Sequence, residues 1–198
     1  MKRVFLLGVI VSALTLSSCD VLQQIGEMAT FARCEFRLST VEGITLGGVN
    51  VQKVSNLNQL NLQDAARLTA ALASGQLPLD LTLNVQVKNP NTSAASLNRL
   101  EWILFIDDIQ MVSGLNQNTV NIPPQNGTAT LPLRISVDLK KALSGRSGDA
   151  LLNFGLNLAG AGNRPTRIML KAKPSIVVAG NTVPYPGYLS IRNDFVSQ

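Results

Sequence analysis

The chain has 198 residues, with 17 Lys and Arg against 12 Asp and Glu, no His, and aromatic residues at 5%. Without His, the usual zinc ligand sets and the Ser-His-Asp or Cys-His arrangements cannot be assembled, which removes the common routes to hydrolysis and metal chemistry. The net charge of +5 is small and spread along the chain, so it gives no clustered footprint for nucleic acid.

The first residues set an address. Lys2 and Arg3 form a short basic start, Val4 to Leu16 an apolar run, and Leu16-Ser17-Ser18-Cys19 follows. This is the pattern of a signal peptide, since an apolar run of about 13 residues falls short of the ~20 that a permanent span needs. It resembles a bacterial lipoprotein signal, which implies cleavage before Cys19, lipidation of Cys19 and a place on the cell envelope, held to the membrane through the N-terminal lipid. Removing residues 1–18 leaves 180 residues with 15 basic and 12 acidic side chains, a net charge of +3. That length suits one domain with a real core. Cys34 is then a lone thiol with no His to act as its base, and the strand-like setting Cys34-Glu-Phe-Arg-Leu reads it as a small buried apolar residue.

Residues 19–33 carry Val21, Leu22, Ile25, Met28 and Phe31 at helical spacing, which predicts a tether or short helix ahead of a domain at 34–198. Cys34, Phe36 and Leu38 alternate with polar residues as a first strand, and Gly43, Gly47 and Gly48 in the following extended stretch predict bulges or bends. Within residues 50–75 the spacing predicts a helix over Asn61 to Ser74, with Leu62, Ala65, Ala66, Leu68, Thr69, Leu72 and Ala73 on one side and Gly75 as its stop.

From Leu79 to Asn91 apolar and polar residues alternate without a break. Leu79, Leu81, Leu83, Val85 and Val87 share one face of a strand, so Leu83 is expected between sheets and Thr82 on the surface. Pro90 cannot donate to a ladder, and Asn89 and Asn91 can bond nearby backbone, so the strand stops there. Leu97 to Ile106 is apolar on both faces and predicts a central strand covered twice, with Trp102 in the core. Asp107-Asp108 reads as a turn, Gly114 as the end of the next piece, and Asn126-Gly127 as a turn before a strand at Thr128 to Val137. Asp138 caps a helical turn to Leu143. Leu151 to Leu158, Arg167 to Val178 and Tyr188 to Phe195 read as further strands. The whole predicts a mostly β protein, an immunoglobulin or fibronectin-III-like sandwich of about seven or more strands with one inserted helix.

The segment Val87-Lys88-Asn89-Pro90-Asn91 resembles the type 2 late embryogenesis abundant proteins, whose domain is also called the water-stress and hypersensitive-response domain. Leu46-Gly47-Gly48-Val49, Gly114, the strand Leu131 to Val137 and Lys173-Pro174-Ser175-Ile176 before Val183-Pro184-Tyr185 follow the same order, so the resemblance covers about Phe36 to Ile191. Two departures stand out: Asp107-Asp108 where a neutral Asn-Gly type of turn is expected, and the insertion at 50–75. The resemblance implies a sandwich fold, stress protection without a known reaction, and Asn89, Pro90 and Asn91 as family motif residues. The expectation is a non-enzymatic envelope lipoprotein, stress-protective or structural, with no cofactor or metal. The alternative is a binding module for a lipid, glycan or protein partner at the envelope, for which Tyr185 and Tyr188 are the candidate binding residues.

Overall fold

The computed structural model describes residues 30, 33–52, 54, 59–160, 166–178 and 181–195. Cys19 and the signal-like segment lie outside them. Among the described residues the strands are β1 (Glu35–Leu46), β2 (Val49–Asn50), β3 (Pro78–Asn89), β4 (Ala95–Leu97), β5 (Arg99–Ile106), β6 (Ile109–Asn116), β7 (Val120–Ile122), β8 (Gly127–Asp138), β9 (Thr166–Val178), β10 (Asn181–Pro184) and β11 (Leu189–Phe195). The helices are α1 (Leu62–Ala73), α2 (Leu139–Ala142) and α3 (Gly148–Leu158).

β3 is the strand that the alternation required, and it is central in a four-stranded antiparallel sheet of order β2-β1-β3-β8. Its five inward side chains, Leu79, Leu81, Leu83, Val85 and Val87, are all buried. Burying them is worth on the order of 10 kcal/mol, which ordering about ten backbone residues consumes, so neighbours on both edges are needed. β8 supplies one edge in unbroken register from Pro78 opposite Asp138 to Asn89 opposite Gly127. β1 supplies the other, with two register shifts, the second spanning Gly43 at φ +64°. Thr82 is half-buried rather than exposed, because Glu42 and Arg134 stand directly opposite it on the two flanking strands.

The second sheet has five strands: β5 pairs with β6 on one side and β9 on the other, and β9 carries β10 and β11 along its far edge. Leu100, Trp102, Leu104 and Ile106 of β5 face inward with Ile168, Leu170 and Ala172 of β9, and join the inward face of the first sheet in one buried set. β1 lies beside β11 and β8 beside β6, so the sheets meet at both margins. This is a β-sandwich. Ile103 and Phe105, expected under a second covering layer, are only half-buried, which makes β5 central in its sheet but covered on one face.

Further sequence expectations change. Gly114 does not end a strand; it sits inside β6 directly opposite Trp102, where a Cβ would come 2.2 Å from the indole. Residues 151–158 are not a strand but most of α3, so the fold has more than one substantial helix. Leu151, Gly155 and Leu158 fall on its buried side at i, i+4, i+7. Ser147 caps its start, accepting from Ala150 N–H. Gly155 is there because Leu46 comes 2.8 Å from where its Cβ would stand. α1 matches its expected span, with Asn61 accepting from Asp64 N–H as N-cap and Gly75 beyond its end at φ +86°. Its buried face differs: Leu68 is buried with Ala65, Ala71 and Leu72 half-buried, while Leu62 is 88% exposed. Lys140 reaches across to donate to the Leu72 carbonyl near the end of α1, 2.9 Å away, answering one of the carbonyls a helix terminus leaves open.

Candidate functional site

Asn89 ends β3 fully buried, a costly place for an amide unless every polar atom is met. All of its side-chain capacity is used. Nδ2 donates to the carbonyls of Ser93 at 2.9 Å and Ile122 at 3.2 Å, and Oδ1 accepts from Asn91 N–H at 3.1 Å and Asn91 Nδ2 at 2.7 Å. Asp would lose both donors and Leu all four contacts, so the site selects Asn by hydrogen-bond inventory. Asn91 Nδ2 also donates to Thr30 O at 2.9 Å, which ties the segment ahead of β1 to the end of β3.

The loop from Pro123 closes over this knot. Gln125 and Asn126 both have positive φ, +57° and +65°, the left-handed pair of a type I′ turn, shifted one residue from the Asn-Gly position that sequence alone favours. Their N–H groups donate to the Asn91 and Asn89 carbonyls at 2.8 Å each. Gly127 follows because a Cβ there would lie 2.6 Å from the Pro123 carbonyl oxygen. Pro90 itself is exposed and stops the ladder. The motif therefore joins three segments: β3, the small β4–β7 sheet through Ile122, and the incoming chain at Thr30.

Tyr185 and Tyr188 belong to the stretch between β10 and β11. Tyr185 is half-buried and its N–H donates to Pro174 O at 2.8 Å; Tyr188 is 48% exposed, with Lys173 Nζ 5.9 Å from its ring centroid. Two residues back along β9, Lys171 Nζ stands 5.2 Å from the Phe105 ring of β5. Lys171 thus lies over Phe105 of β5 and Lys173 over Tyr188, a placement on one face of β9 that the Lys-x-Lys spacing signals once β9 is known to pair with β5. At the opposite end of β5, Asp107 and Asp108 form the predicted turn with φ +49° and +64°. Arg167 holds it: its N–H donates to Asp107 Oδ1 at 3.0 Å and its guanidinium to Asp108 Oδ2 at 2.9 Å.

Cys34 is buried, its Sγ 3.6 Å from Thr30 O, and burial pushes its thiol above the ordinary value, the reverse of an activated nucleophile. Among the described residues no group of three or more His, Cys, Asp or Glu could hold a metal ion, and no helix is long and apolar enough to cross a membrane.

The family model of the late embryogenesis abundant protein matches residues 84–185, just over half of the chain, taking in the end of β3 with its Asn-Pro-Asn knot and running through β10. The chain belongs to this family. It is a stress-associated family, and a generally non-enzymatic one. Among solved structures, the chain is similar to a putative late embryogenesis abundant protein determined in solution, with 14% identity, TM-score 0.37, and coverage of 96% of this chain and 89% of that one. A protein from Arabidopsis thaliana gives 13% identity, TM-score 0.33 and coverage of 60% and 70%. A protein from Archaeoglobus fulgidus gives 12% identity, TM-score 0.33 and coverage of 61% and 86%. No curated protein sequence matches the chain.

Proposed function

We propose that this late embryogenesis abundant protein is a lipid-anchored envelope protein that protects neighbouring components under water or solute stress by non-catalytic contact. The observation that carries the reading is the family match over residues 84–185. Leu16-Ser17-Ser18-Cys19 behind a basic start and an apolar run supports the address. A folded sandwich cannot replace water along its whole length as an extended chain does, so protection falls to particular surfaces.

Deleting the gene is expected to reduce survival of drying or osmotic shock while leaving ordinary growth intact, and a Cys19→Ala copy is expected to lose lipid labelling and to fail to rescue. Labelling that persists in Cys19→Ala refutes the anchor. The exposure of Tyr188 beside Lys173 favours a second reading, a binding module for a lipid, glycan or protein partner. A deletion indifferent to stress but altered in growth on one nutrient, or in one bound partner, transfers the assignment to that reading.

A further inference from the structure

The two outward faces of the sandwich have opposite character. On the β1-β3-β8 sheet the outward residues are polar and answer one another: Lys88 pairs with Glu35 at 3.2 Å, Arg37 donates to Gln86 at 2.6 Å, and Glu42 accepts from Thr40 at 2.7 Å and Asn84 at 2.9 Å. Glu35, Glu42 and Asp80 are balanced there by Arg37, Lys88 and Arg134, and Thr128, Thr130, Pro132 and Ser136 complete an uncharged remainder.

On the five-stranded sheet the outward positions mix apolar and basic side chains with a few other polar ones. Ile103 stands opposite Lys171 and Ser113, Phe105 opposite Met169, Glu101 opposite Lys173 and Leu115, and Met169 opposite Arg192. Leu115 is 44% exposed, and Ile103, Phe105, Met169, Lys171 and Lys173 are half-buried. Glu101 is taken up by Arg99 at 3.3 Å, which leaves Lys171 and Lys173 without an acid among these residues, and on β11 Asp194 stands opposite Arg167 two residues along from Arg192. The acidic turn Asp107-Asp108 lies at the far end and is engaged by Arg167. The basic end, with Arg99, Lys173 and Tyr188, is the end at which the chain enters β5, reached from the Asn89–Asn91 knot through β4, and at the knot Asn91 also holds the incoming chain at Thr30.

We infer that the outward face of the β6-β5-β9-β11 sheet docks on an anionic phospholipid surface, its knot end leading. Apolar side chains interleaved with lysines on aromatic rings fit an interface with acyl chains below and phosphates above, since the stems lie against apolar surface while the ammonium heads reach phosphate. A soluble polyanion needs the charges alone and makes no use of Ile103, Phe105, Met169 and Leu115. The inference rests on the membrane address proposed above, and it deepens that reading by naming the surface that meets the membrane and the lipid charge it requires.

The test uses the full chain isolated from membranes, in a Cys34→Ser background, with one environment-sensitive dye placed by Ser113→Cys on this face or by Thr130→Cys on the opposite one. Each is mixed with phosphatidylcholine vesicles, with and without phosphatidylglycerol, carrying a headgroup quencher. Retention on both vesicle types, with quenching at 113 only when phosphatidylglycerol is present and none at 130, supports anchor and docking together. Reversing Lys171→Glu and Lys173→Glu is then expected to cut the response at 113 roughly tenfold or more, as is raised salt. Retention with equal quenching at 113 and 130 keeps the anchor and overturns the docking. Binding only to phosphatidylglycerol vesicles with quenching at 113 keeps the docking and overturns the anchor. Loss from both vesicle types overturns both. A response at 113 to soluble polyglutamate and not to vesicles assigns the face to an acidic macromolecule and overturns the lipid.

Discussion

Gly114 and Trp102 make one packing unit. They face each other across β5 and β6, and the indole occupies the space in which any side chain at 114 would begin. Gly114→Ala is expected to cost about 1–3 kcal/mol through overpacking and to shift the fluorescence of Trp102, the chain's one Trp, to the red. An unchanged spectrum and midpoint would show that the ring has room to move. Cys34 gives a pH effect whose sign is fixed by burial. Its folded pKa is raised, so the neutral thiol is the form the fold prefers. Stability is therefore whole below the unfolded thiol's pKa, about 8.5, and declines as pH rises from there through the folded value. Melting the protein between neutral pH and pH 10 is expected to show a decline that Cys34→Ala makes shallower, and parallel curves for the two refute the assignment. Burial of Cys34 and Trp102 was legible in the sequence, since their neighbours alternate. The reason for Gly114 was not, because a glycine reads as punctuation until its cross-strand partner is known.

At the scale of elements, what failed to show in the sequence has a common cause: period alone does not choose between a short strand and a helix when leucines are dense. Residues 151–158, Leu-Leu-Asn-Phe-Gly-Leu-Asn-Leu, satisfy a period of two as well as the i, i+4, i+7 set Leu151, Gly155 and Leu158. What distinguishes them lies upstream, in Ser147 as N-cap and Asp149 in the first turn. α1 is legible through its apolar spacing and Gly75 as a stop, while its cap, Asn61 with Asp64, is seen only in the structure, and its buried face differs from the expected one. Leu62 starts the helix outside the contact, and a Cβ at Gly47 would come 3.2 Å from each of Leu68 and Ala71. Leu68→Ala is accordingly expected to cost about 2–5 kcal/mol, whereas Leu62→Ala stays within about 0.5 kcal/mol. Urea titrations of the two variants decide it, and equal losses would return Leu62 to the packed face.

For the whole molecule, the family match and the folding unit are different lengths of chain. Residues 84–185 begin inside β3, after Leu79, Leu81 and Leu83, and stop before β11. The missing half of β3 leaves β8 from Leu133 to Asp138 without its partner, and the loss of β1 opens the other edge of what remains. The loss of β11 uncovers β9 from Thr166 to Ala172 and takes away buried Ile191. A motif that reads clearly in sequence, Asn89-Pro90-Asn91, thus depends on strands that carry little signature of their own, because β1 and β11 are specified by alternation and not by particular residues. The fragment 84–185 is expected to show no cooperative thermal transition and no near-ultraviolet signal from Trp102, while 34–198 shows both. Unpaired edges of this length also predict that the fragment aggregates where the longer chain stays in solution. A fragment 84–185 that melts sharply, with Trp102 in a fixed environment, would mean that the core closes without β1 and β11, and that the buried positions contributed by Leu38, Ile44 and Ile191 are dispensable to the sandwich.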